Sequence, residues 1–278
     1  MVRGIEIFRA YFAGHADQFV LIGGTAATLA MEGSGLAFRA TKDLDIVLHI
    51  EALSASFGEV FWRFIETGGY EIRQASDTGK PVFYRFQKPA DPRFPAMLEL
   101  FCRAPSGIQL AQGSQLTPIP IDEAAASLSA ILLDDAYYEF ILAGRREVGG
   151  LPWVGADRLI PLKASAWLDL SERHVRGESV DRKNIRKHAN DVLRLSQLFA
   201  PDFRVEVGTR IAQDLNRFLD GIEADRTLDA KSLGIDSSVA AQSLSGPAAD
   251  PQAHHQGAAS PASRTTAPHL ACSVWMVS

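Results

Sequence analysis

The stretch that most limits what this chain can fold into is residues 19–50. An apolar run, Phe19-Val20-Leu21-Ile22, stops at Gly23-Gly24-Thr25 and passes without a spacer into Ala26-Ala27-Thr28-Leu29-Ala30-Met31. The pattern reads as strand, tight turn and helix. Glycine lets a backbone approach an anion closely, and the free N–H groups and positive dipole end of the following helix face that anion. The turn therefore predicts a phosphate-holding element of Gly23, Gly24 and Thr25, with Thr25 adding a hydroxyl. A plain helix-entry turn with Thr25 as its cap explains the same tripeptide.

Further on, Asp43 and Asp45 sit two apart in a strand pattern continued by Ile46, Val47 and Leu48. Strand side chains alternate, so the two carboxylates share one face while Leu44 and Ile46 take the other. Adjacent carboxylates repel unless a cation lies between them, and hard oxygen ligands beside substrate phosphates are what a Mg²⁺ or Mn²⁺ phosphoryl or nucleotidyl transfer site needs. Glu99, within the apolar Ala96-Met97-Leu98-Glu99-Leu100-Phe101-Cys102, is the candidate third acid. An unpaired charge is costly there. The bland readings are solvated acids on a strand edge and a structural ion pair of Glu99 with Arg85 or Arg103. Arg39 stands ready for a phosphate or base, or for a surface salt bridge.

In this order, Gly23-Gly24-Thr25, Asp43-Leu44-Asp45 and Leu98-Glu99-Leu100 resemble the signature of the nucleotidyltransferase superfamily with the DNA polymerase β-like fold. The lead-in Arg39-Ala40-Thr41-Lys42 is similar to the AbiEii-type toxin family of bacterial toxin–antitoxin and abortive-infection (phage-defence) systems. Lys163, inside a Lys-Ala-x-Ala helix, and Lys187-His188-Ala189-Asn190-Asp191 are similar to that family's two later motifs. The late motif commonly reads Lys-Asp-x-x-Asp; here His188 replaces the first acid and Asp191 is the one carried over. The resemblance covers roughly residues 15–220. It implies catalytic roles for Asp43, Asp45, Glu99, Lys163 and Asp191, nucleotide binding by Gly23, Gly24, Thr25, Arg39 and Lys163, and metal binding by Asp43, Asp45 and Glu99. Lys163 would offset charge on the triphosphate; a snorkelling lysine is the alternative. For Lys187 and Asp191 the alternative is an i,i+4 salt bridge.

The expected fold is α/β (α+β): a mixed-sheet nucleotidyltransferase domain over 1–150, a helical domain closing the nucleotide cleft over 151–235, and a disordered tail over 236–278, rich in Ala, Ser, Pro and Gln. Within the first part, residues 4–12 read as an amphipathic helix, 53–67 as a helix stopped by Gly68-Gly69, and 70–74 and 81–87 as a hairpin around Asp77-Thr78-Gly79-Lys80. Residues 130–133 and 139–142 read as strands, and the Gly-rich 148–155 as a hinge. Residues 156–174, 182–199 and 202–220 read as helices, the second with Lys187, His188 and Asp191 on one flank and a basic face of Arg182, Lys183, Arg186, Lys187 and Arg194. That face suits an RNA backbone or simply water.

Cys102 and Cys272 make no disulfide framework, no stretch reaches transmembrane length, and the N-terminus lacks a signal-peptide core, so the expectation is a cytoplasmic protein without a membrane partner. A net charge of −5 leaves nucleic acid to a local patch. The reading is a Mg²⁺-dependent nucleotidyltransferase moving NMP from a nucleoside triphosphate to an acceptor. The resemblance implies a toxin, an acceptor such as the 3′ end of tRNA, and a cognate antitoxin. Alternatives are an aminoglycoside-like small molecule or protein side chain as acceptor and, in another class, a non-catalytic nucleotide- or partner-binding module.

Overall fold

The computed structural model describes residues 2–74, 83–106, 116–119, 129–200, 202–224 and 275–277. The chain divides into two units, Met1–Leu159 and Ile160–Ser278. In the first, α1 (Ile5–Tyr11) turns Ile5 and Phe8 inward, and β1 (Phe19–Ile22) follows with all four side chains buried. α2 (Gly23–Gly33) begins at the very end of β1, and β2 (Asp43–Leu48) returns antiparallel to it, with Phe19 opposite Leu48 and Ile22 opposite Asp45. α3 (Ala55–Gly68) starts at Ser54, whose hydroxyl accepts the Phe57 N–H at 3.3 Å, and stops at Gly69, held at φ 62°. A left-handed residue there satisfies the last carbonyls of the helix, and glycine adopts it without Cβ strain.

The chain continues through β3 (Glu71–Gln74), β4 (Phe83–Gln87), β5 (Met97–Cys102), β6 (Leu116–Pro118) and β7 (Ser129–Leu132). The turn expected at residues 77–80 lies outside the described residues. α4 (Asp135–Ala143), β8 (Arg145–Val148) and β9 (Leu151–Val154) complete the unit. The sheet runs β3-β4-β5-β2-β1-β9-β8, with β7 added to β5 and β6 to β7. β5 is parallel to β2 and β9 to β1, while β1–β2, β4–β5 and β8–β9 are antiparallel, so the sheet is mixed as expected. Its core is aromatic: Phe8 stacks on Phe12 at 4.4 Å, Phe64 meets Phe8 at 5.6 Å, and Phe61 meets Phe86 at 5.3 Å. Tilted and edge-to-face rings of this kind add to the burial of large apolar area.

Two expectations fail here. Residues 139–142 are the end of α4 and not a strand: Asp134 caps the helix by accepting the Ala136 N–H at 3.0 Å, and Tyr137, Tyr138 and Ile141 are buried at helical spacing. The acidic and apolar residues mimicked alternation over too short a run to separate the two periods. The Gly-rich 148–155 is no hinge between domains; Gly149 and Gly150, at φ 59° and 79°, close the β8–β9 hairpin. Two consecutive positive φ values are what a tight hairpin turn requires. Because β9 pairs with β1, the first unit extends to Leu159 and past residue 150.

The boundary falls inside α5 (Ala156–Val175), which carries Pro161. The second unit adds α6 (Arg182–Ser196), β10 (Val205–Val207), α7 (Thr209–Ala224) and β11 (Trp275–Val277). Trp167 packs edge-on against Phe218 at 5.4 Å, and Gly221 leaves room for that indole. The helix expected over 202–220 begins only at Thr209; residues 205–207 are extended and pair in parallel with 275–277. Of the tail expected to be disordered over 236–278, only 275–277 fall among the described residues, and there a short β-prone run pairs with the edge of β10.

Candidate functional site

The site is built where β1 ends and β2 and β5 begin. Gly23 lies at φ 65°, the left-handed region, and a Cβ there would collide with the Asp45 carboxylate. Only glycine meets both conditions without strain. Gly24 is crossed less closely, since a Cβ on it would come within 2.6 Å of Thr41 Oγ1 and in ordinary contact, 3.6 Å, with Arg39 Nη2. The Gly-Gly pair thus lets Asp45 and Thr41 close over the turn and the start of α2, with Arg39 beside them. Arg39 also lies 5.3 Å from the Phe38 ring centroid. Thr25 is fully buried, and its hydroxyl donates to the Asp43 carbonyl at 2.8 Å. It does not cap α2 with its side chain. It ties the turn to the acid strand.

β2 alternates as expected, with Leu44 and Ile46 buried and Asp43 and Asp45 half-buried on the other face. β5 repeats the pattern, and its register sets Glu99 beside Asp45 and Met97 beside Asp43. β4 extends both rows, with Arg85 opposite Glu99 and Gln87 opposite Met97. One face of the sheet therefore carries two ranks at the mouth of the turn: Arg85, Glu99 and Asp45, then Gln87, Met97 and Asp43. Acids from two widely separated segments thus stand on neighbouring strands, Glu99 beside Asp45 and Asp43 one rank away.

Glu99 accepts a close charge-assisted pair from the Arg85 guanidinium, with side-chain exposures of 13% and 28%. Of the two arginines the sequence offered, Arg85 is the partner; Arg103 is engaged by Glu51, to which its Nε donates at 2.8 Å. A divalent ion needs few carboxylates when water and substrate phosphates fill the rest of its shell. Asp43 and Asp45, neighbours on one face beside an anion-receptive turn, meet that minimum. Glu99 is adjacent but held by Arg85. Among the described residues, no three or more His, Cys, Asp or Glu side chains gather as a ready metal cage.

Lys163 and Asp191 lie in the second unit and bind each other: Lys163 Nζ donates to Asp191 Oδ2 at 2.8 Å, with side-chain exposures of 6% and 0%. Asp191 thus turns inward from α6, away from the exposed Lys187, and neither the expected shared flank nor a snorkelling Lys163 is found. Of the basic residues of α6, Arg182, Lys183, Arg186 and Lys187 are exposed and Arg194 is half-buried, and Arg182 Nε donates to His174 Nε2 at 3.0 Å. No described helix is long and apolar enough to cross a membrane.

Sequence reasoning passed over Thr41, whose signal was its place two residues before Asp43, and the cations around Asp43 that line a neighbouring cleft. No family model and no curated protein matches the chain. Among solved structures it is similar to an antigenic nucleotidyltransferase-like protein from Paracoccidioides brasiliensis, with 15% identity, 86% of this chain and 98% of that chain covered, and a TM-score of 0.42. A TM-score of that size carries no argument, so the functional reading rests on the site's own geometry.

Proposed function

We propose that this chain is a nucleotidyltransferase that moves NMP from a nucleoside triphosphate to an acceptor hydroxyl, with the reacting groups on its first unit. The observation that carries the reading is the close packing of the Asp45 carboxylate on Gly23, which sets the paired acids of β2 directly against an anion-receptive turn. An aspartate pressed against such a turn without a bridging cation would repel the phosphate the turn attracts. Acids and turn make chemical sense together when a metal–triphosphate complex joins them.

The Gly23-Gly24 turn and the first N–H groups of α2 receive the terminal phosphates, with Arg39 above them. Asp43 and Asp45 would hold Mg²⁺ or Mn²⁺, which supplies charge neutralisation and alignment of the triphosphate. Glu99, steadied by Arg85, would add a further oxygen ligand or take the proton of the attacking hydroxyl. The acceptor oxygen bonds to the α-phosphorus, the bond to the bridging oxygen breaks, and pyrophosphate leaves. Thr25 keeps turn and acid strand in register. The AbiEii-type resemblance of the motifs supports an acceptor such as the 3′ end of tRNA and a toxin restrained by a cognate antitoxin.

The test is transfer from each α-³²P-labelled nucleoside triphosphate to total tRNA in Mg²⁺, beside an Asp43→Ala/Asp45→Ala variant. Label on tRNA that needs the intact acids is the expected result. Label on protein or on an added aminoglycoside would move the acceptor. No label anywhere, with nucleotide still bound, would leave the non-catalytic binding module.

A further inference from the structure

A cleft of about 330 Å³ adjoins Asp43 on the side away from the glycine turn, over the rank formed by Gln87, Met97 and Asp43. Arg3, Lys42 and Lys88 also line it, so its rim carries three cations and one carboxylate. We propose that this cleft is a phosphate-binding subsite for the acceptor, which makes the acceptor a phosphate-bearing molecule such as an RNA end. The proposal rests on the nucleotidyltransferase reading and refines it.

The topology supplies the first argument. In the sheet order β4-β5-β2-β1, the Gly23-Gly24 turn stands at the β1 side of Asp43 and the cleft at the β4 and β5 side. One acid is thus flanked by two anion-receptive sites. A transfer reaction between two phosphate-bearing substrates needs that arrangement, with donor on one side and acceptor on the other.

The cations are also held in place at some cost. Lys88 is the single non-glycine residue with positive φ among the described residues, at 49°. Such strain persists where surrounding structure enforces it, and it gathers at ligand sites. Here the Lys88 N–H donates to the Ala96 carbonyl at 3.1 Å, and the Ala96 N–H donates to the Lys42 carbonyl at 2.8 Å. Both backbone groups of Ala96 therefore fasten a lysine-bearing segment to the cleft rim. Gly4, at φ 74°, packs so tightly on Pro95 that a Cβ would not fit, and this brings Arg3 to the same rim.

Arg3 is poorly satisfied by protein. Its Nε is buried with no hydrogen-bond partner among the described residues. The acid whose charge it senses, Asp91, is already held by Arg93 at 2.7 Å. Lys88 does pair with Glu71 at 2.8 Å, but both side chains are mostly exposed, at 70% and 58%, so that pair exchanges readily for a phosphate. A polycationic aminoglycoside would meet like charge in this cleft. A phosphodiester would meet two or three donors with charge assistance.

The experiment measures binding to the full chain of a 5′-fluorescent eight-nucleotide single-stranded RNA and, separately, of ATP with Mg²⁺, in wild type and in Arg3→Gln/Lys42→Gln/Lys88→Gly. The glycine removes the Lys88 charge while accepting its backbone, and circular dichroism melting confirms the fold. RNA affinity should fall roughly thirtyfold, and the slope of log affinity against log salt should flatten by about two, since each phosphate contact on a single strand contributes about 0.7. ATP affinity should stay within about twofold. Absent RNA binding by wild type, or unchanged RNA binding in the variant, overturns the subsite. A fall in ATP affinity alone also overturns the acceptor assignment and gives the cleft to the donor. Failure of the transferase reading shows separately, as wild type that binds both probes and transfers nothing.

Discussion

The acids of β2 and the Lys163–Asp191 pair of the second unit are made of the same chemistry and are treated in opposite ways. Asp43 and Asp45 stay half-buried beside a glycine turn, whereas Lys163 and Asp191 are almost wholly withdrawn from water and meet at 2.8 Å. In the proposed reaction the acids of β2 keep a route to a ligand, whereas the Asp191 carboxylate is buried against Lys163. Residue type alone did not distinguish the two. Burial separates them.

The largest expected effect is on the first region. The Asp43→Ala/Asp45→Ala variant should lose transfer by roughly 10⁴-fold, the scale of several kcal/mol of transition-state charge stabilisation. Its melting temperature should stay within about 2 °C of wild type, because two neighbouring like charges are being removed from a half-exposed face. A melting drop as large as the activity loss would show that these acids belong with the structural class.

How much was legible in advance follows the same line. The strand–turn–helix at 19–33 and the alternation of β2 and β5 were written in local periodicity, so the sheet positions of Asp43, Asp45 and Glu99 were readable. The register that sets Glu99 beside Asp45 is a long-range property and had to be inferred from the acids themselves. The partner of Asp191 was misjudged because i,i+4 spacing on one helix is visible in a sequence, while a contact from α5 to α6 is not. The cations of the cleft were invisible for that reason too: Arg3, Lys42 and Lys88 come from three separate segments.

The second expected effect tests the other half of the comparison. Lys163→Met leaves the Asp191 carboxylate buried without its partner, which should cost about 3–5 kcal/mol by urea denaturation. Lys163→Met/Asp191→Leu should recover most of that, since an apolar pair of similar volume is often neutral where a broken ion pair is not. Transfer activity returning with stability would assign both residues to the fold. Stability returning without activity would give Lys163 the phosphate-charge role that its motif suggests.

Gly23→Ala comes next in size and asks what places Asp45. An L-residue in the left-handed region costs about 1–2 kcal/mol, and the added methyl also meets the Asp45 carboxylate. We expect a stability loss of about 2 kcal/mol together with a transfer loss larger than stability explains at saturating folded protein. If activity per folded molecule were unchanged, the contact between turn and acid would not matter to the reaction, and the observation that carries the proposed function would fail.

The smallest effect comes from a carboxylate of intermediate character. Burial raises the Glu51 pKa, but the Tyr138 hydroxyl, donating at 2.8 Å, and the Arg103 guanidinium outweigh it, and the net shift is below the ordinary 4.5. The folded state therefore binds fewer protons than the unfolded chain between the lowered value and 4.5. The resulting stability is fully present above 4.5 and fades as pH falls through the folded value. Tyr138→Phe removes one of the lowering bonds, so the Glu51 titration followed by NMR should move upward. The stability gap between variant and wild type should be wider at neutral pH than near pH 3, apart from the constant loss of the Ile50 N–H bond to that hydroxyl. Glu51 sits with its partners away from the glycine turn, and transfer by this variant should match wild type. An upward shift with normal transfer would show a carboxylate held by its neighbours and outside the reaction. A loss of transfer would mean that the order of the β2 strand reaches from its far end to the acids at its start.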